Sequence, residues 1–192
     1  MNFSVEETIL DEVKIISPKV YADDRGYFTE VFNANDFEIL GIPYQFKQMN
    51  HSSSKKGVVR GLHFQWDPPM GKLMRVTRGI AFLVAVDIRL GSPTFGQWVG
   101  GEFSEWNRKQ IWAPHSFARG FCAITDEAEV QYLITGTYNP VNESEILWND
   151  KDLNIPWPVE NPIVSPKDQK AQTLQQWIKS DKSKNIMYGK RN

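Results

Sequence analysis

Two short stretches place polar side chains inside segments that otherwise read as apolar strands. In Gln48-Met49-Asn50-His51, strand alternation puts Gln48 and Asn50 on one face. In Arg60-Gly61-Leu62-His63-Phe64-Gln65 it sets Arg60, Leu62 and Phe64 opposite His63 if the strand stays regular, and Gly61 would allow a bulge that undoes this facing. With Arg25, Lys72 and Arg75, these residues supply the cations and amide donors that hold a diphosphate and sugar hydroxyls. His63 is the member of the set that exchanges a proton near neutral pH. Each has a plainer reading. A histidine in an apolar strand packs and hydrogen-bonds, Lys72 and Arg75 serve as strand-edge charges, and Asp168, three residues after Ser165, fits a helix cap. Tyr132 and Tyr138, near the two ends of one expected strand, fit core or rim aromatics.

Common catalytic signatures are missing: the chain has no GxGxxG, P-loop, GxSxG or HExxH. A single cysteine, Cys122, excludes an intrachain disulfide and a four-cysteine zinc site and fits a reducing compartment. Twenty-two Lys and Arg against twenty-three Asp and Glu leave a net charge of -1, so nothing draws the chain to nucleic acid or to an acidic membrane. The start of the chain is acidic, and the longest apolar run, 80–86, is far too short to span a bilayer; the expected location is cytoplasmic.

The elements that must position these residues are mostly strands. Runs rich in β-branched and aromatic residues fall at 13–16, 27–32, 46–50, 58–64, 73–78, 80–87, 95–103, 110–113, 117–124 and 130–138, separated by Gly, Pro, Asn and Asp. They predict two packed antiparallel sheets, whose interior the 12% aromatic content suits. Asn33-Ala34-Asn35-Asp36 caps one helix, and Ser165-Pro166-Lys167-Asp168 starts a second that runs through Leu174, Trp177 and Ile178 before a polar tail at 180–184. The proline-rich stretch 154–166 reads as a surface strap. With 192 residues and neither repeat nor linker, one domain over 1–192 is expected.

Taken together, the motifs Asp23-Asp24-Arg25-Gly26-Tyr27-Phe28-Thr29-Glu30, Gln48-Met49-Asn50-His51-Ser52, Arg60-Gly61-Leu62-His63-Phe64-Gln65, Gly71-Lys72-Leu73, Val86-Asp87-Ile88-Arg89 and Ser92-Pro93-Thr94-Phe95-Gly96 resemble the dTDP-4-dehydrorhamnose 3,5-epimerase family. Ile146-Leu147-Trp148-Asn149-Asp150, Ile155-Pro156-Trp157-Pro158 and Ser165-Pro166-Lys167-Asp168 extend the resemblance, which runs in matching order from about Ile9 to Leu174. It implies an all-β, cupin-type jelly roll with short helices and a C-terminal helix. It also implies a homodimer that acts on a nucleotide-diphosphate 4-keto-6-deoxysugar, with no metal and no organic cofactor. By the same resemblance His63 is the base, Asp168 orients it, Lys72 steadies an enolate oxygen, and Tyr132 in Val130-Gln131-Tyr132-Leu133 donates a proton. Tyr138 would line the cavity, and Arg25, Glu30, Gln48, Asn50, Arg60, Glu143 and Lys167 would contact nucleotide, diphosphate or sugar.

Two positions depart from the family pattern. Where the family reads Phe-Ala-His-Gly-Phe this chain has Phe117-Ala118-Arg119-Gly120-Phe121, and Leu83 replaces an acidic residue. An arginine binds a substrate oxygen or phosphate but shuttles no proton near neutral pH. If a His–Asp pair was lost together, no buried carboxylate is left unpaired. Inversion at C3 alone, or of a CDP- or GDP-linked sugar, is the alternative. A 3,4-ketoisomerase would want a second histidine where Gln65 stands, a metal cupin wants more than His51, His63 and His115, and a carbohydrate-binding jelly roll would use Arg60 and Lys72 without turnover.

Overall fold

The computed structural model describes residues 1–189. Its strands are β1 (Phe3–Glu6), β2 (Lys14–Pro18), β3 (Val20–Asp23), β4 (Gly26–Thr29), β5 (Gln48–Lys55), β6 (Val58–Gln65), β7 (Lys72–Arg78), β8 (Ile80–Asp87), β9 (Trp98–Ser104), β10 (Gln110–Ala113), β11 (Phe117–Ala123), β12 (Glu127–Ile134), β13 (Glu143–Glu145) and β14 (Ile163–Val164). Three short helices, α1 (Ala34–Ile39), α2 (Pro166–Gln169) and α3 (Leu174–Lys179), and a 3₁₀ turn, Asp181–Asn185, complete the described elements. Residues 190–192 of the expected domain lie outside the described residues.

One sheet runs β1-β2-β10-β7-β12-β5 and the other β13-β6-β11-β8-β9, with β14 added parallel to β6 and β3-β4 forming a separate hairpin. From β5 to β8 and again from β10 to β13 the chain changes sheet at every strand. That alternation makes the two antiparallel sheets a jelly roll, as expected.

Period-two alternation explains how each strand serves two layers. Met74 and Val76 of β7, with Leu83 and Ala85 of β8 and Phe117 and Phe121 of β11, pack between the sheets. Leu73 of β7 points the other way, onto Phe3, Ile16, Phe37 and Trp112 under α1. Val84 and Val86 of β8 likewise leave the sandwich to meet Leu174 and the fully buried Trp177 of α3. Each such large side chain contributes roughly 1.5–3 kcal/mol through burial. Both outer faces are therefore covered in part, and the space between the sheets is shared by the apolar core and a cavity that Met74 and Phe121 also line.

The expected strand 46–50 runs on to Lys55 as β5, that at 95–103 starts only at Trp98 as β9, β1, β3, β13 and β14 were not expected, and β14 lies within the stretch read as a surface strap. Three further elements differ where they bear on the site or the C-terminus. The strand 130–138 begins earlier and ends at Ile134, because the Thr135 backbone N–H turns to the Gly71 carbonyl, so Tyr138 sits on a loop rather than a strand end. The single C-terminal helix is two, α3 restarting at a Thr173–Gln176 capping box. The expected polar tail instead forms the 3₁₀ turn, with Ser183 and Ile186 buried. Within one chain, the first residues pair with β2 and bury Phe3.

Candidate active site

The site begins with a bulge. Along β11 and β6, Arg119 faces His63 and Phe121 faces Arg60, so two steps on one strand span three on the other. The extra residue reverses the alternation and brings Arg60 onto the cavity side with His63, as Gly61 allowed. Gly61 sits at φ +124°, and a Cβ there would lie 2.6 Å from Gly120 Cα and 2.8 Å from the Arg119 carbonyl oxygen. Gly120 answers from the opposite strand, where a Cβ would meet the Arg60 carbonyl oxygen at 2.7 Å. Only paired glycines let the backbones approach this closely.

His63 Nε2 donates to Asp168 Oδ1 at 2.6 Å. A carboxylate accepts only, so Nε2 carries a proton, and in the neutral ring the free lone pair is on Nδ1. Ser165 caps α2 by accepting the Asp168 N–H at 3.1 Å, but the Asp168 carboxylate does not close a capping box. It turns inward, is 2% exposed, and meets His63. Burial alone would raise its pKa, yet the bond to His63 and its charge, with the Gly61 N–H and the Ser165 hydroxyl, hold it below the usual carboxylate value.

Across the space, the other sheet supplies Lys72 from β7 and Tyr132 from β12. Lys72 Nζ lies 5.3 Å from the centre of the Tyr132 ring. Burial, reinforced by the Arg119 charge, lowers its pKa to about 7, with Glu143 opposing and Lys167 adding to the shift. An inner chamber of about 150 Å³ is lined by Ser52, Arg60, His63, Lys72, Met74, Arg119, Phe121 and Tyr132. An outer one of about 300 Å³ shares His63, Lys72 and Tyr132 and adds Gln48, Asn50, Gln65, Tyr138 and Glu143.

At the outer chamber, Tyr138 donates to Glu143 at 3.1 Å, and Lys167 pairs with Glu143 at 2.5 Å and Glu145 at 3.4 Å. Gln48 and Asn50 hydrogen-bond to each other at 2.9 Å. Arg60 Nε donates to Ser54. The structure does not bring Arg25 or Glu30 to this cavity. The Arg25 side chain is 90% exposed on the β3-β4 hairpin and pairs with Asp23, and Glu30 accepts from Asn2 and Asn33.

Arg119, expected to bind a substrate oxygen or phosphate, does line the cavity, but its hydrogen bonds go to the main chain. It is 2% exposed, and its terminal nitrogens donate to the carbonyls of Met70, Pro114 and Phe117. Burial lowers its pKa to about 9, which leaves it charged at neutral pH. Leu83 shares the inner face and lies diagonally across from it, because Arg119 faces Ala85 on β8.

The sequence reading did not assign Ser52, Gln65 or Glu145. Ser52 was legible as the next inward position after Gln48 and Asn50. Gln65 ties two loops together by donating to Pro68 and Thr137 carbonyls and accepting the Asn139 N–H, and nothing local to it signals that role.

A jelly roll with a histidine on one sheet backed by a helix carboxylate, and a phenol and amine on the other sheet, defines a class, the cupin-type isomerases that move protons on two faces of a sugar ring. The model of the dTDP-4-dehydrorhamnose 3,5-epimerase family matches residues 7–176. The chain belongs to that family. It is 50% identical over 171 residues to the dTDP-4-dehydrorhamnose 3,5-epimerase of Shigella flexneri, covering 88% of this chain and 94% of the relative. Among solved structures, the Legionella pneumophila dTDP-6-deoxy-D-glucose-3,5-epimerase in complex with dTDP-4-keto-L-rhamnose superposes with a TM-score of 0.91 at 43% identity, covering 98% of this chain and 100% of the other. A dTDP-4-dehydrorhamnose 3-epimerase of Streptomyces niveus is 42% identical over 161 residues, 83% of this chain and 78% of the relative.

Proposed function

We propose that this protein epimerises C3 and C5 of dTDP-4-dehydro-6-deoxy-D-glucose, or a close nucleotide-linked 4-keto-6-deoxyhexose, in deoxysugar precursor biosynthesis. The observation that carries this is the Asp168-oriented His63 facing Tyr132 across the sheets, with Lys72 beside the phenol. The C4 ketone acidifies the hydrogens on both neighbouring carbons. His63 Nδ1 takes one such proton, the bonding electrons move to the C4 oxygen, and Lys72 donates a hydrogen bond to the resulting enolate. Tyr132 returns a proton to the opposite face and recovers its own from water, while His63 releases its proton to solvent. Gln48, Asn50, Arg60, Tyr138, Glu143 and Lys167 hold the sugar and diphosphate at the outer chamber.

The working unit is a homodimer in the cytoplasm. Tyr21, Tyr27 and Phe28 stand exposed on the β3-β4 hairpin, an apolar surface suited to a second copy. Arg25 and Glu30 reach substrate only across such a contact. No helix among the described residues is long and apolar enough to cross a membrane.

Proton NMR of the sugar nucleotide incubated with the protein in D2O tests the reaction. Loss of the C3 and C5 signals, dependent on His63, is the expected result. Loss at C3 alone supports the second reading, a C3 epimerase, which the Streptomyces niveus relative favours. No loss at either carbon overturns both.

A further inference from the structure

Arg119 is the one cation of the inner chamber whose two terminal nitrogens both donate to main-chain carbonyls, while its buried Nε has no partner. One terminal nitrogen holds the Met70 carbonyl, two residues before Lys72, at 2.6 Å, and the other holds both the Pro114 and the Phe117 carbonyls at the start of β11. The guanidinium therefore staples the β6–β7 connection to the β10–β11 connection at the point where Lys72 enters the cavity. A planar fork can span carbonyls from two loops, which a single ammonium cannot do in the same way.

We propose that Arg119 is a positioning residue acting through Lys72, fastening the turn that delivers it and presenting a permanent positive charge to it. The groups around Lys72 divide by element. β11 supplies Arg119, β6 supplies His63 and Arg60, and α2 supplies Lys167; Glu143 of β13 is the carboxylate set against them, and β12 supplies the Tyr132 ring. The positive side prevails and adds to burial, which is the larger cause, in lowering the Lys72 amine to about 7. A histidine at position 119 would neither carry a charge at all working pH values nor bridge the same carbonyls. The replacement thus converts a titrating neighbour of Lys72 into a fixed one.

The kinetic half of this inference rests on the proposed epimerisation; the charge half does not. Protein carrying ¹³Cε-labelled lysine gives a Lys72 resonance, identified by its loss in Lys72→Met, whose titration is followed by NMR with no substrate present. In Arg119→Met the Lys72 midpoint rises by about one pH unit, because burial is left to lower it without the Arg119 charge. Where the wild type epimerises, Arg119→Lys lowers kcat at least tenfold with KM little changed, because a single ammonium does not rebuild the staple. Arg119→Gln repeats the neutral test if the methionine variant fails to fold. An unmoved Lys72 midpoint in a folded neutral variant overturns the electrostatic role, and full kcat in Arg119→Lys overturns the positioning role. A wild type inactive on the sugar nucleotide but showing the Lys72 shift would overturn the epimerase reading and leave the charge coupling standing.

Discussion

His63 Nε2 and Asp168 Oδ1 stand 2.6 Å apart although 105 positions of sequence separate them. The first is set by a strand of one sheet, the second by a four-residue helix that follows a parallel edge strand on that same sheet. The fold thus closes over itself to place a buried carboxylate behind an imidazole.

His63→Ala is expected to lower kcat by roughly 10³-fold with the fold intact, the ordinary contribution of a positioned acid–base group. Asp168→Asn should lower it by about 10²-fold, since an amide oxygen orients the ring but supports its charged form poorly. Steady-state kinetics with circular dichroism on both variants checks this. A rate within threefold of wild type for His63→Ala would remove it as the base.

Asp168 also links stability to pH. Its folded pKa lies below the usual carboxylate value of about 3.9, so the stabilisation it contributes is present above the unfolded pKa and is lost as pH falls through the folded one. The stability gap between wild type and Asp168→Asn should hold steady from pH 7 to pH 5 and shrink below about pH 4. Urea unfolding at stepped pH measures it.

Lys72→Met is expected to abolish turnover and stabilise the protein. The unfolded lysine binds its proton below about 10.4, whereas the folded one binds it only below about 7, so between these values wild-type stability rises with pH. The methionine variant should gain over wild type as pH drops from 10 to 7, reaching roughly 4 kcal/mol at neutral pH, the pattern of a site that trades stability for function. A variant less stable than wild type at pH 7 would contradict this.

Gly61→Ala should destabilise by about 3 kcal/mol or more, because the added Cβ meets backbone rather than a flexible side chain. Gly26→Ala, also at positive φ but with nothing within 4 Å of its Cβ, serves as the comparison and should cost roughly 1 kcal/mol. Equal thermal shifts in the two variants would show that the close approach of β6 and β11 is not limiting.

Tyr132→Phe keeps the ring beside Lys72 and removes the phenolic proton. Solvent deuterium should still enter the sugar through His63, while inverted product falls by about 10²-fold or more. Washout and inversion falling in equal proportion would place the donor elsewhere.

Much of the strand framework was legible because period-two patterning and turn residues are local properties. The runs at 80–87 and 110–113 match β8 and β10 residue for residue, and the Asn33 cap opens α1 as read. The resemblance carried by several motifs in order pointed to His63, Lys72, Tyr132 and Asp168 before any of them had a position in space. Within the sequence, however, Asp168 was equally a helix cap and Arg60 lay on the wrong face. The bulge that turns Arg60 inward follows from two backbones meeting at Gly61 and Gly120, residues on strands that the chain joins only after four intervening strands.

The sequence by itself determined most of the segments that are strands, though not the short β1, β3, β13 and β14, as well as which residue types were available for proton transfer and which cofactor signatures were missing. The tertiary structure decided which surroundings each polar group took: the His63 imidazole for the Asp168 carboxylate, main-chain carbonyls for the terminal nitrogens of Arg119, and a loop rather than a strand end for Tyr138. The reason is physical. Propensity and alternation are set by neighbours along the chain, whereas a buried donor or acceptor must be satisfied by whatever the fold brings within 3 Å of it, and in a jelly roll that neighbour is drawn from distant sequence.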